Sequence, residues 1–132
     1  MRRGFTMIEL IFVIVIIAIL AAIAIPRLAA TRDDAEISKE LQNLSTCIQD
    51  YGARYTAAGE INATTDTAIK GLFTSCKASS CFTFTGTQDG NITVTSAAGA
   101  GLPNWCPRAQ AVASERDLNG THSFGGGGVI RF

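Results

Sequence analysis

Glu9 is the one ionisable side chain in an otherwise apolar stretch from Phe5 to Ile25, where the only other polar residue is Thr6. A carboxylate on a helix that faces lipid costs several kcal/mol, so such a group normally marks a partner or a function. No clustered acid, base or nucleophile accompanies it to form a catalytic set. Pairing with a positive group is therefore the chemistry that we expect of Glu9.

The stretch around this carboxylate is long enough to cross a membrane. Every residue from Leu10 to Ile25 is apolar, and a helix that starts at Phe5 would span roughly 30 Å over this stretch, about one bilayer core. Three interpretations fit: a secretory signal peptide cut near residues 22–24, an uncleaved single-pass anchor, or a short leader cut after Gly4 that leaves the helix in the mature protein. A charge near the start of the run is unfavourable in a conventional signal peptide, and the run is longer than is typical of one.

Four cysteines lie beyond the apolar stretch, and they are Cys47, Cys76, Cys81 and Cys106. An even number of cysteines outside a membrane segment is typical of an oxidising compartment and predicts up to two disulfides. Three pairings are open, and the sequence does not choose among them. Reduced, buried thiols are the alternative. A zinc site is disfavoured because there is no Cys-x-x-Cys pair and the single histidine, His122, has no partner at ligand spacing.

No cofactor is expected, although one segment resembles part of a calcium loop. Asp117-Leu118-Asn119-Gly120 resembles the start of such a loop, but the later acidic ligand is missing. His122 has no nucleophile arrangement around it and is predicted to be an exposed strand residue. The formal charges cancel, with 11 Lys plus Arg against 11 Asp plus Glu, so no basic excess would draw the chain to nucleic acid. We therefore expect neither a catalytic residue nor direct binding to nucleic acid.

Beyond Pro26 an apolar stripe at helical spacing predicts an aqueous half of the helix. Pro26 lacks a backbone donor and clashes with the preceding turn, so the helix should bend or loosen at residues 22–26. The stripe predicts packing against a sheet of the same chain, and its members are Ile37, Leu41, Leu44, Ile48, Tyr51 and Tyr55. Glu36, Lys39 and Glu40 are predicted to lie on a solvated surface. Residue 59, a glycine, predicts the end of the helix.

The rest of the chain predicts a small antiparallel sheet with short helices, so the expected fold class is α+β. Residues 81–85 and 91–95 alternate at period two around a turn, which indicates a hairpin. Its apolar side should face the helical stripe, through Phe82, Phe84, Ile92 and Val94. Short helices are predicted at 67–74 and 109–116, and a final strand at Val129–Phe132. A head of this size has a small core and often needs disulfides as staples.

The N-terminal residues resemble a known processing signal. The sequence Gly4-Phe5-Thr6-Met7-Ile8-Glu9 follows a short basic leader and precedes an unbroken apolar run that ends at Ile25-Pro26. This combination resembles the class III signal of type IV pilins and type II secretion pseudopilins. Met7 stands where leucine is more usual, which is a volume-conserving change.

The resemblance implies a set of site residues and a division of the chain. A prepilin peptidase would cut between Gly4 and Phe5, and the new amine of Phe5 would be N-methylated. Glu9 would then pair with the Phe5 amine of a neighbouring copy, and the helix near Pro26 could loosen on assembly. The chain would comprise a leader (1–4), a transmembrane and filament-core helix (5–26), an amphipathic half (27–58) and an extracytoplasmic head (59–132).

The function implied by the resemblance is that of a structural filament subunit, not an enzyme. The subunit would be held in the bacterial cytoplasmic membrane with its head outside the cytoplasm, and would then enter a periplasmic or surface filament. Its partners would be further copies and related subunits, the peptidase and methyltransferase, the lipid bilayer, and a membrane platform with an ATPase. Major pseudopilins often carry calcium in a late loop, which keeps Asp117–Gly120 as a calcium candidate.

Three functions stay open at this point. The short head favours a type II secretion pseudopilin that acts in protein export. The cysteines favour a type IV pilin for adhesion, motility or DNA uptake, because many pilins close a C-terminal loop with a disulfide. A membrane-anchored binding module that never polymerises is the third, and it predicts an inert Glu9.

Overall fold

The structure is a computed structural model that describes residues 4–125, apart from the side chain of residue 29. Within this range the chain forms helices and a three-stranded antiparallel sheet: α1 (Met7–Ala58), α2 (Asp66–Leu72), α3 (Thr74–Ala78), β1 (Phe82–Gly86), β2 (Asn91–Ser96), α4 (Cys106–Glu115) and β3 (Gly120–Ser123). The predicted α+β class is confirmed. The chain divides into two compact units, Met1–Ala35 and Glu36–Phe132, and the division falls within α1.

The first unit holds the apolar part of α1, and its helix is continuous through Pro26. Proline supplies no N–H to the carbonyl of Ala22, so the helical ladder lacks one hydrogen bond at this turn. One turn later the Thr31 hydroxyl donates to the carbonyl of Arg27 at 2.8 Å. The loosening expected near Pro26 stays a prediction.

The helix α1 ends where a glycine allows the chain to turn away. Gly59 has a φ of +76°, in the left-handed region that favours glycine. Its N–H donates to the carbonyl of Tyr55 at 2.7 Å, which satisfies one of the carbonyls left without a partner at a helix end. Ala58 is the last helical residue, and the predicted end of the helix at Gly59 is confirmed.

The core of the second unit is built on the apolar stripe of α1. Five stripe residues are buried and Tyr55 is partly buried. As predicted, they share one cluster with the apolar side of the hairpin, formed by Phe82, Phe84, Ile92 and Val94. Tyr51 is fully buried, and its hydroxyl donates to the carbonyl of Thr87 at 3.1 Å. Burial raises the pKa of the Tyr51 phenol, so this side chain stays neutral in the core.

Helix α2 covers the outer edge of β1. The Phe84 N–H donates to Asp66 Oδ1 at 2.8 Å, and Lys70 Nζ donates to the carbonyl of Phe82 at 3.0 Å. Asp66 and Lys70 also form a 3.1 Å ion pair with each other. An uncovered edge strand invites pairing with other chains, so these two side chains protect β1 from it.

The third strand was not predicted where it lies. β3 has no apolar alternation, and it is a strand because it pairs with β2, with His122 opposite Ile92. The strand predicted at Val129–Phe132 lies outside the described residues. His122 is a strand residue as predicted, but it is half-buried and not exposed, and its Nε2 lies 3.1 Å from the carbonyl of Leu118.

Two predicted short helices differ from those in the structure. The helix expected at 67–74 is interrupted at Phe73, which has an extended backbone (φ −116°, ψ 119°) and separates α2 from α3. Its side chain packs against the core, and this tertiary contact outweighs the local helical preference. The helix expected at 109–116 begins earlier, at Cys106, because Pro107 in the first turn has a backbone already suited to a helix start.

Two disulfides staple the second unit. Cys47–Cys76 joins α1 to α3 across a sequence separation of 29, and Cys81–Cys106 joins the residue before β1 to the first residue of α4 across 25. All four cysteines are fully buried. The predicted disulfides are confirmed, and the structure selects one of the three pairings that the sequence left open.

Glu40 contradicts the prediction of a solvated surface. Its side chain is only 3% exposed. Its Oε1 accepts hydrogen bonds from the Ser79 hydroxyl at 2.8 Å and from the Cys81 N–H at 2.7 Å. Glu36 and Lys39 are exposed as predicted and lie 3.9 Å apart as an ion pair. The prediction failed for Glu40 because its partners come from a segment about forty positions further along the chain.

Gly86→Ala is expected to lower the free energy of unfolding of the head by about 1–3 kcal/mol, through overpacking. A Cβ at this position would meet the Tyr51 hydroxyl and would lie 2.8 Å from the backbone oxygen of Ala63. Urea denaturation followed by circular dichroism measures the change. Gly71→Ala in α2 is the matched control, because its Cβ would meet nothing within 4 Å and alanine favours a helix. An equal loss in both variants would contradict the steric explanation.

Candidate functional site

The N-terminal end of α1 places Glu9 in a capping box. The Thr6 N–H donates to Glu9 Oε2 at 3.0 Å, and the Glu9 N–H donates to Thr6 Oγ1 at 3.4 Å. These reciprocal bonds satisfy two of the backbone amides that a helix start leaves without partners. The helix accordingly begins at Met7, and Gly4 and Phe5 precede it.

The peptide between Gly4 and Phe5 lies outside the helix and is accessible. Residues 4–6 are not helical, and the Phe5 side chain is 90% exposed. Exposed, irregular segments are the usual sites of proteolysis. Phe5 therefore does not share a helical turn with Glu9 here, and the carboxylate is bound by the Thr6 amide. Glu9 Oε1 has no partner among the described residues, so one oxygen is left for a further donor.

The surface around Glu9 is apolar and open. A groove of about 630 Å³ lies beside the carboxylate, lined by Phe5, Ile8, Glu9, Leu10, Phe12 and Val13. The large apolar side chains further along this unit, up to Leu28, are exposed as well. By length and composition, α1 is able to cross a membrane. An exposed apolar surface this large marks contact with lipid or with other apolar helices.

The other predicted site residues belong to later parts of the chain. Pro26 lies inside α1, and the four cysteines lie in the second unit. In the segment that resembles a calcium loop, Asp117 has a φ of +55° and the Asn119 amide donates to Ser96 Oγ at 3.2 Å. Among residues 4–125, no three His, Cys, Asp or Glu side chains form a group that could hold a metal ion.

Comparison with known families bears on this same N-terminal end. Residues 1–25 match the family model described as the prokaryotic N-terminal methylation motif, which is the leader signature of type IV pilins and pseudopilins. The chain carries a prepilin leader. The prepilin leader implies processing by a prepilin peptidase and assembly into a pilin-like filament. Together with the apolar helix, the leader is consistent with anchoring in the inner membrane. No curated protein and no solved structure matches the chain.

Two residues that matter to these sites were missed from the sequence. Thr6 was noted only as polar, although Thr-x-x-Glu before an apolar run is the pattern of a capping box. That pattern would have placed the helix start after the prepilin cleavage site. Glu40 had a weaker signal: it lies three residues after Ile37 and four before Leu44, beside the apolar stripe, but nothing local identifies the groups that bind its carboxylate.

Proposed function

We propose that this chain is a structural subunit of a type IV pilus-like filament, and specifically a type II secretion pseudopilin that acts in protein export. The observation that carries the proposal is the prepilin leader joined directly to an exposed apolar helix with a single carboxylate, Glu9. A conventional signal peptide would be removed with its apolar run. A prepilin leader leaves that run in the mature subunit, where it serves first as a membrane anchor and then as a polymerisation surface.

Assembly would use the free oxygen of the Glu9 carboxylate. Cleavage after Gly4 turns the Phe5 nitrogen into a cationic amine. When two helices lie side by side with an axial offset, the amine of one copy reaches Glu9 of the next, while the Thr6 amide can stay bound to Oε2. Two unit charges 4 Å apart attract by about 4 kcal/mol at an effective dielectric constant of 20. Desolvation of both charges offsets part of this attraction.

The apolar surface makes the transfer from membrane to filament nearly neutral in free energy. Side chains from Leu10 to Ile25 leave lipid and are buried against the same surface of other copies, so apolar contact is exchanged for apolar contact. A membrane platform with an ATPase would supply the drive and the direction. The contacts between copies would be heterologous and non-closing, as a helical polymer requires. The head would lie outside the cytoplasm, where its disulfides form.

A type IV pilin for adhesion, motility or DNA uptake is the second candidate, and the two buried disulfides favour it. The small head favours the pseudopilin. Deletion of the gene separates the two: a pseudopilin deletion stops export of a secreted protein, whereas a pilin deletion removes a surface fibre. Loss of the fibre with export intact would replace the pseudopilin assignment by the pilin one.

The mature N-terminus tests the filament proposal directly. Intact-mass and N-terminal peptide mass spectrometry of the protein from bacterial membranes should find a chain that starts at Phe5 and carries one added methyl group. The helix through Ile25 should still be present. A chain that starts at residue 25 would identify a conventional signal peptide, and an uncut Met1 would identify a plain anchor. Either result would overturn the proposal.

A further inference from the structure

The Glu40 carboxyl group is buried and is not used by the proposed filament function. It lies on α1 seven residues before Cys47, which is two helical turns, so both side chains point from the same face of the helix. Cys47 is bonded to Cys76, and Glu40 binds the Cys81 N–H and the Ser79 hydroxyl. One face of α1 therefore holds both ends of the segment from Cys76 to Cys81, one end by a covalent bond and the other by a carboxylate.

Cys81 is held from its other side as well. Gln110 Nε2 donates to the carbonyl of Cys81 at 2.9 Å and to the carbonyl of Ala97 at 2.9 Å. Gln110 lies four residues after Cys106 on α4, so the two side chains lie on the same face, one turn apart. The Gln110 amide, which binds α4 to the Cys81 backbone, therefore also positions Cys106 beside its disulfide partner Cys81.

The hydrogen bonds that hold Cys81 oppose a competing disulfide between Cys76 and Cys81. Cys76 and Cys81 are only five positions apart, whereas the native bonds span 29 and 25. Loop closure in a featureless chain scales with length, and it favours the five-residue loop over either native loop by roughly tenfold. The native pairing therefore needs folded structure that keeps Cys81 away from Cys76 and close to Cys106.

We propose that Glu40 and Gln110 are positioning residues that direct Cys81 to Cys106 during oxidation and so select the disulfide pairing of the head. The inference is independent of filament assembly. Each bond forms by thiol–disulfide exchange with a small disulfide oxidant. Two thiols lose two protons and pass two electrons to the oxidant, which leaves as two thiols. Glu40 acts before the second bond closes, because its 2.7 Å hydrogen bond from the Cys81 amide requires only that α1 and residues 79–81 have met.

The test is oxidative refolding of the full-length chain in detergent micelles, with reduced and oxidised glutathione as the redox buffer. Samples are quenched by alkylation, digested without reduction and mapped by mass spectrometry. In Glu40→Ala and Gln110→Ala, the Cys76–Cys81 bond should rise towards the roughly tenfold preference of a featureless chain. Glu40→Gln keeps an acceptor oxygen and should restore most of the native pairing. Glu36→Gln, an exposed acid on the same helix, should pair as the wild-type chain does.

A second comparison tests whether a general loss of stability is enough to cause incorrect disulfide pairing. Gly86→Ala weakens the head but leaves both Glu40 and Gln110 in place. The two variants are compared at urea concentrations that leave the same fraction of each folded, and under these conditions Gly86→Ala should form the native disulfides. A pairing error in Gly86→Ala as large as in Glu40→Ala would overturn the proposal. So would native pairing in Glu40→Ala and Gln110→Ala at the wild-type level. If Glu40→Ala does not fold, the milder Gln110→Ala decides by the same map: native pairing at the wild-type level in that variant would overturn the proposal.

Discussion

Glu9→Gln is expected to remove the protein from filaments while its head still folds. Glutamine retains the capping box with Thr6, because either Glu or Gln serves at this position. It carries no charge for the Phe5 amine of the neighbouring copy. Leaving one partner of a buried ion pair uncompensated costs about 3–5 kcal/mol, which is roughly a hundredfold or more in an assembly equilibrium.

The measurement is the amount of the variant in filaments sheared from cells or purified from the envelope, relative to the amount in the membrane. Glu9→Ala should lose both the ion pair and the capping box, so it should also shorten the start of the helix. Glu36→Gln is the matched control, because it removes one exposed acid from the same helix. Filaments that contain Glu9→Gln at the wild-type level would leave the non-polymerising anchored module as the better account.

Loss of both disulfides is expected to unfold the head. Closing loops of 29 and 25 residues stabilises by about 3–4 kcal/mol each on a chain-entropy estimate. The two loops do not overlap, so their effects should add. Small domains are stable by about 5–15 kcal/mol in total, so the sum is most or all of the stability of a head this size.

Urea denaturation of the chain in detergent, with and without reductant, measures this effect. Each disulfide is removed by a double substitution, and each double variant should lower the urea midpoint of unfolding. The two variants are Cys47→Ala/Cys76→Ala and Cys81→Ala/Cys106→Ala. The variant in which all four cysteines are replaced by alanine should be unfolded even without urea, and reductant should not alter its unfolding curve. Alkylation shows whether the thiols of the reduced wild-type protein are free. An unchanged urea midpoint in protein with free thiols would contradict the estimate.

The N-terminal part of this protein was determined by the sequence itself. Its signals are contiguous: a glycine before an aromatic, one acid, an unbroken apolar run and Pro26. Lipid and helix geometry act on neighbours along the chain, so no distant contact is needed to interpret them. The apolar stripe and the hairpin were predicted for the same reason. Apolar side chains recur every 3.6 residues on a helix and every two residues on a strand, and both patterns are local in the sequence.

The tertiary structure decided the rest of the head. Which cysteines pair, why Glu40 is buried and why Gly120–Ser123 is a strand all depend on contacts between residues 25 to 41 positions apart. Phe73 interrupts a helix for a similar reason, because the packing of its half-buried side chain against the core outweighs the local helical preference. A local pattern states which side chains favour burial, but only the folded chain determines which distant groups meet them. That physical difference separates the helix, which was predicted from its residues, from the sites that staple the head.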